Sequence, residues 1–411
     1  MTVIDTQPPK ANLNPLNWLK KNLFNNWYNT ILTIISLLFI VWIFYSFINW
    51  AIPPAECLTK DNAPRICANY ADWNAVTENM RLFFVGYYPE ELLWRTWASF
   101  KIIVALSGFS WGIFSASSTL FNRATIIVLS VLGASYLTIL FSVGFESQQY
   151  LVATLFIFAI TTLIGKKLGT NLPDLKLWLP LVWFFNFFLV LWLLQGGLFL
   201  ESVGLDNLSG IILTFLAAIV SIVLCFPFGI LLALGRQSHL PIIRWLSTIY
   251  IEIIRGLPLI GILFMAQVML PLVLPPDLRL SRVVRAIAGF TIFASAYLAE
   301  NVRGGLQSVP RGQSEAAKAL GLNGPLVLAL IVLPQALRAV IPSIVGQFIS
   351  LFKDTSLLAI VGLVDLLGIS QSILLGNPEY NGRSVEIYLF VGFIYWICCY
   401  SMSLASRNLE K

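Results

Sequence analysis

Charge is the scarcest property of this chain: Asp, Glu, Lys and Arg together make up only 11% of its 411 residues. Soluble domains carry about 25%. With 58% hydrophobic residues and a mean hydropathy of +0.81, no water-facing fold can hide the apolar surface. The class is therefore a polytopic, all-α membrane protein. Histidine is nearly absent, and the single His239 reads as a solvated loop residue. With no His/Cys/carboxylate spacing of a metal site, no metal is expected. Cysteine is sparse as well. Cys225, Cys398 and Cys399 lie within apolar runs and read as packing residues, whereas Cys57 and Cys67 flank a short polar loop. A disulfide between those two is expected if the loop meets an oxidising compartment, two free thiols being the other reading. The phosphate-binding pattern G-x-x-x-x-G-K-[ST] is missing, and no soluble stretch is long enough for a nucleotide-binding fold. If ATP drives this protein, another chain hydrolyses it. The net charge of +6 then speaks of which loops stay in the cytoplasm, and nucleic acid is not among the expected partners.

What is present is a series of apolar runs rich in Phe, Trp and Tyr, about ten in all: 28–48, 97–114, 124–141, 151–164, 177–194, 211–234, 249–273, 286–298, 339–352 and 385–403. The polar start of the chain lacks a cleavage site and reads as a cytoplasmic tail. Alternating from there puts Lys166, Lys167, Lys176, Arg236, Arg244, Arg303, Arg311 and Lys318 in cytoplasmic connections, with Arg407 and Lys411 in the tail. Outer connections hold Glu146, Glu201 and Asp206, and one outer loop dissents with Arg279, Arg282 and Arg285. The positive-inside rule favours this orientation, with both termini cytoplasmic. Lys166-Lys167 are expected to end their span, and Pro89-Glu90-Glu91 to start the helix that becomes the second one.

The chain is organised around Glu315-Ala316-Ala317-Lys318-Ala319-Leu320-Gly321, followed after nine residues by Ile331-Val332-Leu333-Pro334. The Ala-rich leg predicts a helix, Gly321 its left-handed terminator, Asn323 the cap of a second leg, and Pro334 the point where that leg bends or ends. This spacing resembles, without a missing position, the cytoplasmic EAA loop of ATP-binding-cassette (ABC) import permeases. From about 210 onward the likeness to the polar amino-acid branch of that family is nearly continuous. It is carried by Leu231–Arg236, by Tyr250-Ile251-Glu252-Ile253-Ile254-Arg255-Gly256-Leu257-Pro258-Leu259, by Ala296–Pro310, by Pro334–Arg338 and by Lys353-Asp354-Thr355-Ser356-Leu357. One departure stands out: Pro325 to Leu330 is wholly apolar where the family has basic residues. The front half, through weaker similarity around 83–97, resembles the longer of the two permeases of broad-specificity L-amino-acid systems.

The resemblance implies a type I importer permease core of five helices at 206–411, preceded by an extension at 1–205 with about five spans and a periplasmic loop at 51–96. The coupling loop, about 304–337, would dock on a separate ATPase subunit through Glu315, Ala316, Ala317, Gly321, Leu333 and Pro334. The chain itself would be no enzyme and bind no cofactor, with ATP and Mg on the ATPase. The implied partners are a second, homologous permease, two ATPase subunits and a periplasmic amino-acid-binding protein, all at the bacterial inner membrane. The substrate would be a polar L-amino acid moved by alternating access. The rival class is an ion-coupled secondary amino-acid transporter, which would need an intramembrane ion site and commonly an internal repeat; no convincing repeat is found.

Physical readings of the remaining motifs run alongside. Glu252 and Arg255, three apart, share a helix face and can pair, and Gly256 and Pro258 permit a break beside them. Glu300 and Arg303 repeat the spacing, and Gly304-Gly305 allow close backbone approach. Tyr297, which precedes them in the same motif, is expected with Asp354, Thr355 and Ser356 on the substrate pathway. Lys353 to Ser356 lie about fifteen residues past Arg338, or roughly 22 Å of helical rise, which is deep in a span. There Asp354 can accept an ammonium, and Thr355 and Ser356 can donate to a carboxylate, provided the helix breaks locally; the alternative is a self-neutralising Lys353–Asp354 pair.

Overall fold

The computed structural model describes residues 15–54, 69–115, 133, 145–172, 174–275, 280–380 and 382–409. Cys57, Cys67, Arg279 and, apart from residue 133, the expected span at 124–141 lie outside the described residues. Among those described, helices account for the regular structure and no named strand occurs, only two isolated bridges. Among the described residues, eight helices are long and apolar enough to cross a membrane, or nine when the bent pair 241–256 and 259–273 is taken as one span.

The chain forms two units. In the first, residues 1–73, α1 (Pro15–Asn22) precedes α2 (Trp27–Ala51), a 25-residue helix that buries none of its residues. A helix apolar on every side is a membrane span by composition. Its end is tied down when Trp73 Nε1 donates to Ala51 O at 2.9 Å and Ala71 N to Trp50 O at 2.8 Å.

The second unit, residues 74–411, begins with the short α3 (Asn74–Thr77) and α4 (Met80–Val85). A 3₁₀ turn at Glu90–Leu92 runs into α5 (Leu93–Ser115), as Pro89-Glu90-Glu91 predict. Then come α6 (Phe145–Asn171) and α7 (Leu175–Gln195). Gly108 and Gly112 on α5 and Gly165 on α6 set the packing of that pair: a Cβ on any of them would collide with backbone of the facing helix. Small residues four apart are how spans approach closely in lipid, where burial in a partner gains no hydrophobic energy. Lys166-Lys167 do not end α6, which continues to Asn171. Lysine is a good helix former, and its aliphatic stem lets a helix cross the interface without stopping.

The second half of the chain is built on α8 (Gly210–Arg236) and α12 (Arg282–Ser308). Helix α12 is the axis of the core, with 56% of its span buried against 17–39% for the others from α6 onward. Its inward face, Val283, Phe290, Ala294, Leu298 and Val302, meets Leu213, Ala217, Cys225 and Ala233 of α8. Helix α9 (Pro241–Gly256) crosses this pair, and the chain turns by 104° before α10 (Leu259–Phe264), a π turn at Met265–Met269 and α11 (Leu270–Val273). The break falls where Gly256 and Pro258 allow it.

After α12 come α13 (Arg311–Ala319), the single turn α14 (Gly324–Leu326), a π segment at Val327–Val332 and α15 (Leu333–Asp354). Pro334 does not end the second leg: the π segment Val327–Val332 gives way to α15 one residue before it, so the proline stands at the helix start, where its missing donor costs least. The expected span at 339–352 is consequently part of a 35-residue helical run, Gly324–Leu358. Helices α16 (Leu366–Gly376) and α17 (Ser384–Leu409) close the core. Gly305 lets α12 lie against Ala336 O of α15, whereas Gly304 faces open space, so only one of the paired glycines serves close approach.

Candidate functional site: the coupling loop and the polar groups above it

Helix α13 is ended by a Schellman motif. Gly321 has φ +85°, its N–H donates to Lys318 O at 2.9 Å, and Leu322 N donates to Ala317 O at 3.2 Å. Asn323 Oδ1 then accepts from Leu326 N at 3.1 Å and starts the return leg. These local bonds fix the angle between the two legs without help from the rest of the protein. Ala317 is buried toward the molecule, as are Val327 and, in part, Leu333. The other face is presented outward: Glu315, Ala316, Ala319 and Leu320 are exposed, Leu320 by 84%. Among the described residues no ion pair engages Glu315. The result is a rigid ridge with one unpaired carboxylate beside a large apolar side chain. The apolar Pro325–Leu330 leg divides its duties, Val327 buried and Leu326 and Leu330 exposed.

Above the loop sits an ionic hub. Glu300, with its side chain 16% exposed, receives Arg236 Nη1 at 2.5 Å, Arg303 Nη2 at 2.8 Å and Arg255 Nη1 at 3.6 Å. Glu252 pairs with Arg236 at 2.8 Å. The expected Glu252–Arg255 pair is therefore replaced by bonds between helices, joining α8, α9 and α12. A partner on another helix compensates a half-buried charge and holds the elements together at once. Tyr297 belongs to the same group: its ring lies 5.5 Å from the Arg255 guanidinium carbon and 4.7 Å from the Phe293 ring.

Deeper, α15 stops at Asp354 and gives way to a 3₁₀ turn, Thr355–Leu358. The helix tightens there and does not unwind, since Asp354 and Thr355 keep right-handed helical dihedrals. Thr355 is wholly buried, donates to Phe352 O at 2.6 Å and meets Tyr395 Oη at 3.2 Å. Asp354 and Ser356 are half-buried. Among the described residues, no ion pair joins Lys353 to Asp354, and the Asp354 carboxylate accepts no hydrogen bond.

Two polar arrangements escape sequence reasoning. Asn301 accepts from Ser343 at 2.8 Å and donates to Gln347 Oε1 at 2.7 Å, while Gln347 donates to Ala294 O at 2.6 Å. This clamps α12 to α15. Asp365, fully buried, caps α16 by accepting from Gly368 N at 2.9 Å, with Tyr395 Oη at 3.4 Å; beside it Leu366 N donates to Thr214 of α8 at 3.1 Å. A buried carboxylate in such a frame fixes where α8, α16 and α17 meet. At the same end, Tyr380 donates to Glu78 at 2.6 Å. Burial, followed by the Glu78 carboxylate, pushes that phenol up to about 12. Among the described residues no group of His, Cys, Asp and Glu has the arrangement of a metal site.

Residues 225–411 match the family model described as "Binding-protein-dependent transport system inner membrane component". The chain is 38% identical over 396 residues to the inner membrane amino-acid ABC transporter permease protein YhdY of Escherichia coli, covering 96% of this chain and 92% of that one. It is 33% identical over 439 residues to BztC of Rhodobacter capsulatus, a permease of a glutamate/glutamine/aspartate/asparagine transport system, covering 98% and 94%. A crystal structure of an amino acid ABC transporter with histidines is 26% identical, with TM-score 0.44, over 49% of this chain and 91% of that one. The first two relatives span front extension and core together, and this relationship gives no support to an ion-coupled transporter. An exposed capped ridge below a multi-span bundle, in a sequence matching such relatives from end to end, makes the chain a member of the amino-acid ABC transporter permease family, a non-catalytic transmembrane subunit whose ATPase is a separate chain.

Proposed function

We propose that this chain is the long permease subunit of a bacterial inner-membrane importer for polar L-amino acids. Residues 1–205 form its extension, 206–411 its core, and both termini are cytoplasmic. It works beside a second, different permease, two ATPase subunits that carry ATP and Mg, and a periplasmic binding protein. The observation that carries the reading is the outward face of the capped helix, Glu315, Ala316, Ala319 and Leu320, in a chain related over its whole length to amino-acid permeases. Closure of the ATPase pair pushes on this ridge. Gly321 and Asn323 transmit the push without bending, and the two permease bundles rock between outward and inward states.

On the substrate side, the proposal assigns Asp354 to the ammonium of a zwitterion, with Ser356 and the backbone of the 3₁₀ turn toward its carboxylate. A half-buried carboxylate that accepts no hydrogen bond and forms no close ion pair among the described residues, with only the charge of the neighbouring Lys353 acting on it, supports this role, because a poorly compensated charge in a span is costly. Thr355 shapes the site from behind, its hydroxyl being shared with Phe352 O and Tyr395. Tyr297 is assigned to the substrate pathway, beside the gating frame of Glu252, Arg255, Gly256, Pro258, Glu300 and Arg303.

The test is cross-linking in native membranes. Cysteine placed at Leu320 or Ala316 should cross-link to the ATPase subunit, with a yield that changes when ATP is added. Normal uptake by a Leu320→Cys protein that forms no such cross-link would sink the docking assignment.

A further inference from the structure

We infer that the interfacial end of the front bundle holds a built site for an oxyanion, occupied by the phosphate of a phospholipid headgroup. Arg95 stands in the first turn of α5 and is only 2% exposed. Its Nη1 donates to Glu201 O at 2.6 Å, while its Nε is buried with no hydrogen-bond partner. One turn further, Ser99 is 4% exposed and its Oγ also has no partner. The other described serines of this helix, Ser107, Ser110 and Ser115, all bond back to carbonyls of the preceding turn. Residues four apart share a helix face, their Cβ atoms about 5–6 Å apart, so two orphaned donors belong to one buried side.

The charge is uncompensated too. Among the described residues no ion pair reaches Arg95. Glu90 is engaged by Arg81 at 2.5 Å, and Glu91 and Glu201 are exposed. A buried water would satisfy the hydrogen bonds and leave the charge; an oxyanion answers both needs. The start of α5 adds the positive end of a 23-residue helix. Gly196, at φ +77°, lets the 196–201 turn close over the guanidinium, because a Cβ there would strike Glu201 O.

The surroundings choose the source. Trp94 lies under the guanidinium, with its ring centroid 5.7 Å from Cζ; Trp97 stacks on Tyr150 at 5.1 Å; and Tyr87 is exposed. At the tip of the covering turn, Leu198 and Phe199 are 90% and 94% exposed. Such a pair suits the apolar medium of a bilayer, and a Trp/Tyr belt marks headgroup level.

The experiment uses the purified transporter complex containing the full chain. Thermal unfolding is followed with added phosphatidylglycerol, inorganic phosphate or diacylglycerol, and native mass spectrometry counts retained phospholipid. Phosphatidylglycerol should raise the midpoint and diacylglycerol should not. Arg95→Gln and Ser99→Ala should weaken the lipid's effect, the former by about tenfold in apparent affinity, and should lower the number of lipids retained. An equal effect of inorganic phosphate would keep the oxyanion site and remove the lipid as its source. Equal stabilisation by diacylglycerol, or an unchanged response in Ser99→Ala together with no phospholipid retained by the unmodified chain, overturns the inference even if Arg95→Gln fails to fold.

Discussion

Gly321 carries more of this account than any other single residue, because its backbone, at φ +85°, is open to side chains only at a cost. A Cβ there meets nothing within 4 Å, so substitution strains the backbone without a clash. Gly321→Val should cost about 1–3 kcal/mol locally, leave the spans inserted and abolish uptake, as checked by transport assays alongside membrane fractionation. Asp354 makes a sharper demand. Asp354→Asn should reduce uptake of every substrate while the complex still assembles. Restored transport in Lys353→Met/Asp354→Asn would instead mean that the two charges only answer each other, and would retire the substrate role. Glu300 differs in kind, since three arginines depend on it. Glu300→Gln should lower stability by about 1–3 kcal/mol, less than a fully buried pair because part of the group is wetted. The readout is the unfolding midpoint of the detergent-solubilised complex.

Among the elements, what could be read beforehand follows the range of the interaction that sets it. The caps of α13 and α14 are local: Gly321 and Asn323 declare themselves by residue type, and the structure forms both. The kink after α9 is also local, written by Gly256 and Pro258. Pro334 shows the limit of that reasoning, because its effect depends on where the preceding π segment gives way to α15, which packing decides. The pairing of Glu252 with Arg236, sixteen residues away, in place of Arg255 depends on how α8 lies against α9. Asp365 reaches Tyr395 and has Thr214 of α8 beside its helix only once three helices meet. Gly108-x-x-x-Gly112 was available as a pattern, yet its partner Gly165 lies on a different helix and gives no sign in sequence. The pair yields its own prediction: Gly112→Leu should separate α5 from α6 and render the bundle protease-sensitive. Gly304→Leu, facing open space, should be tolerated, and Gly305→Leu should not.

At the scale of the whole molecule, the chain does no covalent chemistry, and the proposed role is to convert a push on one exposed ridge into relative motion of helical bundles. The account's central claim is that ATP hydrolysed elsewhere moves an amino acid through this chain. Its most direct test is uptake into proteoliposomes holding this permease, its partner permease and the ATPase subunits, with binding protein outside and ATP inside. The account predicts uptake of polar L-amino acids that needs both ATP and binding protein, persists when ion gradients are collapsed, and disappears with Gly321→Val. Uptake driven by an ion gradient, without ATP or the ATPase, would contradict it.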